Sequence, residues 1–134
     1  MDEKIRYERG LAIRREVLGD TYVDASIANR TEFNAEFQEM LTRHAWGEVW
    51  GRPGLPRHTR SLVTIALLIA LNQWDELRLH LRSAANNGVS EAEIKELLLH
   101  CSIYCGIPAA NSAFHAAAEV FKSKSVNGDS EVAP

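Results

Sequence analysis

The ten-residue run LVTIALLIAL, Leu62–Leu71, constrains the chain more than any other stretch. It is about half the length that spans a bilayer. It sits in a segment, Arg57–Leu71, that opens behind Pro56, a residue suited to the first turn of a helix. A helix whose second half is apolar on every side has no face to give to water, so it is expected at the centre of the core.

The flanking segments supply the partners for that helix. Lys4–Leu18 carries Ile5, Leu11, Ile13, Val17 and Leu18 among charges and stops at Gly19, the pattern of a short amphipathic helix with a glycine end signal. Thr31 is placed to cap a helix with Phe33, Phe37, Met40 and Leu41 on one face, running towards Trp46 and Trp50 until GRPGLP breaks it. The stretch WDELRLHLRSAANNG is ambiguous. Leu77, Leu79 and Leu81 alternate with Arg78, His80 and Arg82 as in a strand, yet Leu77, Leu81, Ala84 and Ala85 recur at helical spacing. Its Leu, Arg, Glu and Ala are helix formers and Gly88 follows, so Trp74–Asn87 is read as helix. Ser90 and Glu93 form a capping box for Glu91–Cys105, and Ala109–Phe121 is a last, alanine-rich helix. The expected architecture is all-α, with one domain over 1–122 and a frayed polar tail over 123–134.

Composition narrows the function. Among 134 residues, 46% are hydrophobic and 25% charged, and the net charge is −3. That balance offers no general affinity for nucleic acid or an anionic membrane, so any anion recognition is local. Eleven Arg against four Lys suit planar, bidentate recognition of carboxylates. The charged start MDEKIRYERG has no apolar signal core, which points to the cytoplasm. Cys101 and Cys105 lie four apart and match neither the redox C-x-x-C spacing nor a disulfide framework. His44, His58, His100 and His115 have no companion at metal spacing, so no metal is expected. No nucleotide-binding glycine motif is present.

Two polar stripes remain. On a helical wheel Gln73, Glu76, His80, Ser83 and Asn87 share one face. Glu76, one turn before His80, is placed to orient the imidazole and favour its protonated form, as a proton donor requires; the alternative is a solvated pair on an exposed face. Arg57, Arg60, Ser61 and Thr64 share a face at a helix start, where unpaired backbone N–H groups favour anions; the alternative is a solvated first turn. The short LNQ turn makes the two helices antiparallel neighbours. Trp46 and Trp50 are candidates for a pocket wall or for core and subunit contacts, and Arg52 is a third candidate cation.

The motifs RPGL, RSLVTIA, HLRSAANNGVS and IYCGIPAAN, with the sequence around them, closely resemble the γ-carboxymuconolactone decarboxylases over nearly the whole chain. The resemblance implies the alkylhydroperoxidase-like helical fold, a ring-shaped homo-hexamer and a step of aromatic degradation in the β-ketoadipate pathway, with no cofactor. Aligned on His80, Gln73 and Glu76 stand where redox relatives carry a cysteine pair, which removes the dithiol route to peroxide reduction. The implied substrate is an unsaturated lactone dianion. Its reacting carbon bears a carboxylate and a carboxymethyl arm, and its conjugated carbonyl is the electron sink. His80 is then the expected proton donor, Glu76 its orienting partner and Arg57 and Arg60 the carboxylate clamps. Ser61 is a hydroxyl for the developing oxyanion or a cap of the turn. Rival readings are a decarboxylase or isomerase of a related lactone, a catalytically silent hexameric scaffold, and a thiol peroxidase using Cys101 or Cys105.

Overall fold

The computed structural model describes residues 2–132, with side chains as far as Lys124. Among the described residues it is all-α: α1 (Glu3–Leu18), α2 (Asp20–Ala28), α3 (Ala35–Leu41), a π-helix (Thr42–Trp50), α4 (Arg57–Ala70), α5 (Trp74–Ser83), a 3-10 turn (Ala84–Asn87), α6 (Glu91–Tyr104) and α7 (Ile107–Val132). The chain divides into two compact units, residues 1–60 and the residues from Ser61 on. No helix among the described residues is long and apolar enough to cross a membrane.

In the first unit the Asp2 carboxylate accepts from the Lys4 N–H at 2.7 Å to start α1, and Gly19, at φ 92°, ends it as the sequence implies. α2 is not assigned by the sequence pattern, because DTYVDASIA buries only Val23 and shows no apolar stripe. Thr31 does not cap α3 directly. It closes a turn with Asn34, in which the Asn34 N–H donates to Thr31 Oγ1 at 3.3 Å and the Thr31 N–H donates to Asn34 Oδ1 at 2.9 Å. Phe33 therefore falls in the turn, and it is 99% exposed. From Thr42 the winding widens into the π-helix, which packs on α1 at two buried glycines. A Cβ on Gly10 would overlap the Thr42 carbonyl oxygen, and one on Gly47 would lie 2.7 Å from the Arg6 carbonyl oxygen. Only glycine permits this backbone approach.

The second unit is built on a buried cluster from four helices: Ile65 and Ile69 of α4, Leu77 and Leu81 of α5, Ile94 and Leu98 of α6, and Ala113, Ala116, Ala117 and Val120 of α7. The alanine row lets α7 approach its neighbours closely. α4 ends in a tight turn with Asn72 at φ 57° and the Gln73 N–H donating to the Leu68 carbonyl at 2.9 Å. α5 tightens into the 3-10 turn and stops at Gly88, φ 79°. The Ser90/Glu93 capping box opens α6 as expected.

Two further expectations change. α4 is not central on every side: Ile65 and Ile69 face the core, whereas Val63, Leu67 and Leu71 form an exposed row. One layer of neighbours covers only one side of a helix. α7 starts at Ile107 and its backbone continues to Val132, past the end expected at Phe121. The side chains of the expected polar tail beyond Lys124, and residues 133–134, lie outside the described residues.

The glycine crossing makes a direct prediction. Gly10→Ala is expected to lower stability by about 3 kcal/mol in urea denaturation, as an overpacked contact does. Gly54→Ala, where an added Cβ meets nothing within 4 Å, is expected to stay within about 0.5 kcal/mol of wild type.

Candidate active site

α5 carries the histidine, and its faces divide as the wheel implies. Leu77, Leu81 and Ala84 enter the core, Arg82 is exposed, and Arg78 pairs with Glu119 of α7 at 3.0 Å. The polar face itself is graded along the helix. Gln73 and Glu76 lie in solvent, while His80, Ser83 and Asn87 are all buried. Ser83 Oγ donates to the Leu79 carbonyl at 2.8 Å, and Asn87 Nδ2 donates to the Ser83 carbonyl at 3.3 Å. Ser83 and Asn87 thus extend the buried polar row around His80, a consequence of burial that spacing alone does not signal.

His80 is 7% exposed, and burial lowers its pKa from 6.5 to about 4. This corrects the expected Glu76 partnership. Glu76 is exposed and, among the described residues, takes part in no hydrogen bond or ion pair, so it does not hold the imidazole in its charged form. Desolvation is the sole cause of the shift, and it favours the neutral ring.

The α4 start carries the other stripe. The Pro56 carbonyl accepts from the Arg60 N–H at 3.0 Å to begin the helix. Arg57, half-buried, is held by Glu16 at 3.0 Å, so its charge is already shared with a carboxylate. Arg60 Nη2 donates to the Arg52 carbonyl at 3.4 Å, and Arg52 itself is exposed. Ser61 is fully buried, and its hydroxyl has no hydrogen-bond partner among the described residues. A buried hydroxyl in that state costs about 1–3 kcal/mol until a ligand or water satisfies it. In the first unit Trp46 is buried and stacks on Trp50, with ring centroids 5.2 Å apart and planes at 28°.

The thiol reading finds little support. Burial, and then the adjacent Cys105, push the Cys101 thiol up to about 11, which leaves it almost without the thiolate that exchange requires. Among the described residues no group of three or more His, Cys, Asp and Glu side chains is placed to hold a metal ion.

Comparison with known proteins adds to this geometry. Residues 35–119 match the family model described as "Carboxymuconolactone decarboxylase family". The chain is 60% identical over 122 residues to the 4-carboxymuconolactone decarboxylase of Acinetobacter baylyi, covering 91% of each. It is 48% identical over 103 residues, 77% of this chain and 72% of the other, to the nitrosuccinic acid decarboxylase of Metarhizium robertsii. A 48-residue sequence from Pseudomonas putida, a 4-carboxymuconolactone decarboxylase, matches over its whole length at 56% identity.

Burial of His80 sets a pH dependence. Its folded pKa, about 4, lies below the unfolded value of 6.5, so between these values the unfolded chain binds the extra proton. The contribution to stability is complete above pH 6.5 and lost as the pH falls through 4, amounting to about 3 kcal/mol. Denaturation curves across that range are expected to show the loss in wild type and a flatter profile in His80→Gln, and NMR is expected to show a neutral His80 ring at pH 6.

Proposed function

The chain belongs to the carboxymuconolactone decarboxylase family, and from that premise we propose that it decarboxylates γ-carboxymuconolactone to β-ketoadipate enol-lactone and CO2. One observation carries the reading. A desolvated histidine, His80, lies on the polar face of α5 in a chain 60% identical, over nearly its full length, to a 4-carboxymuconolactone decarboxylase.

The chemistry needs little from the protein beyond charge placement. As the C–CO2 bond breaks, its electron pair moves through the ring double bond to the lactone carbonyl oxygen, and a proton then adds to the carbon alpha to that carbonyl. The substrate is its own electron sink, so no cofactor enters. His80 delivers the proton. In the free protein its ring is neutral, so it does not stabilise the carboxylate that must leave; a bound dianion then raises its affinity for a proton. The Ser61 hydroxyl donates to the developing enolate oxygen, for which a desolvated donor is worth more than one in water. Arg60 and Arg57, at the positive end of α4, are the carboxylate clamps, with Arg57 weakened by Glu16. Arg52 is a third candidate cation, and Trp46 and Trp50 are the candidate apolar residues. Glu76 is outside the proton path.

The relative that acts on nitrosuccinic acid supports a second reading, a related dicarboxylate substrate. Nitrosuccinate also joins a leaving carboxylate, a second carboxylate and an internal electron sink, so the same donor and clamps serve both compounds. We further assign the protein to the cytoplasm, as a homo-hexamer. The exposed row of Val63 and Leu67 on α4 with Leu71 just past its end, and the exposed Ile103, Tyr104 and Ile107, are apolar surface of the kind subunit contacts cover.

The test is proton NMR of the lactone in D2O. Wild type is expected to release CO2 and place deuterium alpha to the carbonyl. His80→Ala is expected to fall by about 100-fold or more, and Glu76→Gln to stay within about threefold. Unimpaired turnover by His80→Ala would remove it as donor, and no turnover by folded wild type would move the activity to a related substrate. Leu67→Glu is expected to lower the assembly's mass in light scattering.

A further inference from the structure

The first unit contains a charge that the proposed reaction does not use. Arg14 of α1 is 6% exposed. Among the described residues its hydrogen bonding amounts to one contact, from Nη2 to the neutral Ser26 hydroxyl of α2 at 3.2 Å, and its Nε is buried without a partner. A guanidinium offers five N–H donors and keeps its charge inside proteins, so burial ordinarily requires a carboxylate or phosphate beside it.

Four of the acids on the same helices are engaged elsewhere, and Glu8 is exposed. Asp20 and Asp24 hold Arg15 at 3.1 and 2.8 Å, Glu16 holds Arg57, and Glu3 takes Arg6 and Arg43. This contrast separates Arg14 from the other arginines of the unit. Arg57 brings its own carboxylate, whereas Arg14 is desolvated and lacks one. An incoming carboxylate would accept from the planar edge of Arg14 and receive the Ser26 O–H as well, the geometry in which guanidinium outperforms an ammonium.

We propose that Arg14 and Ser26 form a carboxylate-binding site whose ligand is a small dicarboxylate of the succinate type. The ligand class rests on the decarboxylase reading: the carbon that loses CO2 there bears a carboxylate and a carboxymethyl arm, which together are a succinate unit. The site itself rests only on the uncompensated guanidinium. It makes Arg14 a substrate-binding residue, in addition to the clamps on α4, and a lysine in its place would keep the charge and lose the two-point contact.

Calorimetric titration of the full-length protein with succinate at low ionic strength tests this, with circular dichroism on each variant. Wild type is expected to bind. Arg14→Met is expected to weaken binding by about 30-fold or more, as loss of one partner of a buried charge pair does. Arg14→Lys and Ser26→Ala are expected to weaken it by about three- to tenfold. In wild type the Arg14 Nε–H resonance is expected to shift on adding succinate and not on adding chloride at equal ionic strength, a signature that a merely structural arginine would lack. If Arg14→Met fails to fold, the lysine and Ser26 variants and the resonance decide. No succinate binding by wild type, or unchanged affinity in the variants, overturns the proposal. So does unchanged affinity with an altered assembly mass, which would give the counter-ion to an acidic side chain of a second copy. Failure of the decarboxylase reading shows separately, as wild type that binds succinate but releases no CO2 from the lactone.

Discussion

Exclusion of water from a few polar groups governs the chemistry available to this protein. His80, Ser61 and Arg14 are each more than nine-tenths buried in helices whose other buried residues are largely hydrocarbon. Burial acts differently on each. It discharges the imidazole, whose proton is the cheapest to lose; it leaves the Ser61 hydroxyl without a partner; and it cannot neutralise the guanidinium, which must find an anion. Each condition is one that an anionic or hydrogen-bonding ligand can meet at its own group: an anion raises the proton affinity of an imidazole, an oxygen acceptor satisfies a hydroxyl, and a carboxylate supplies a counter-charge to a guanidinium.

Small residues provide the space for this burial. Gly10 and Gly47 bring α1 and the π-helix within backbone contact, and the alanines of α7 bring that helix close to α5 and α6. Large apolar residues such as Leu67, Ile103 and Phe33 remain on the surface. Contiguous exposed apolar surface is the kind that intermolecular contacts cover.

Most helices were legible because their signals are local. Gly19, the Ser90/Glu93 box and Gly88 mark termini by backbone chemistry that acts within a turn, and the ambiguous Trp74–Gly88 stretch resolved as helix through propensity. α2 escaped because one buried valine makes no stripe, and the π-helix escaped because its wider winding accompanies packing against α1 rather than any run of residue types. The polar face of α5 was legible as a face. Its division into an exposed end at Glu76 and a buried end at His80 was not, because depth is a property of what packs over a helix. Arg14 escaped for the same reason: in IRREV two adjacent arginines look alike, yet one holds two surface aspartates and the other is enclosed.

The sequence by itself determined the all-α class, the helix ends at Gly19, Gly88 and Ser90, the family and the candidate side chains, all of which follow from residue type and short-range spacing. Tertiary structure alone decided which of those side chains lost their water. Desolvation depends on neighbours distant in sequence, and it converts a histidine read as a protonated, Glu-supported donor into a neutral ring with a pKa of about 4.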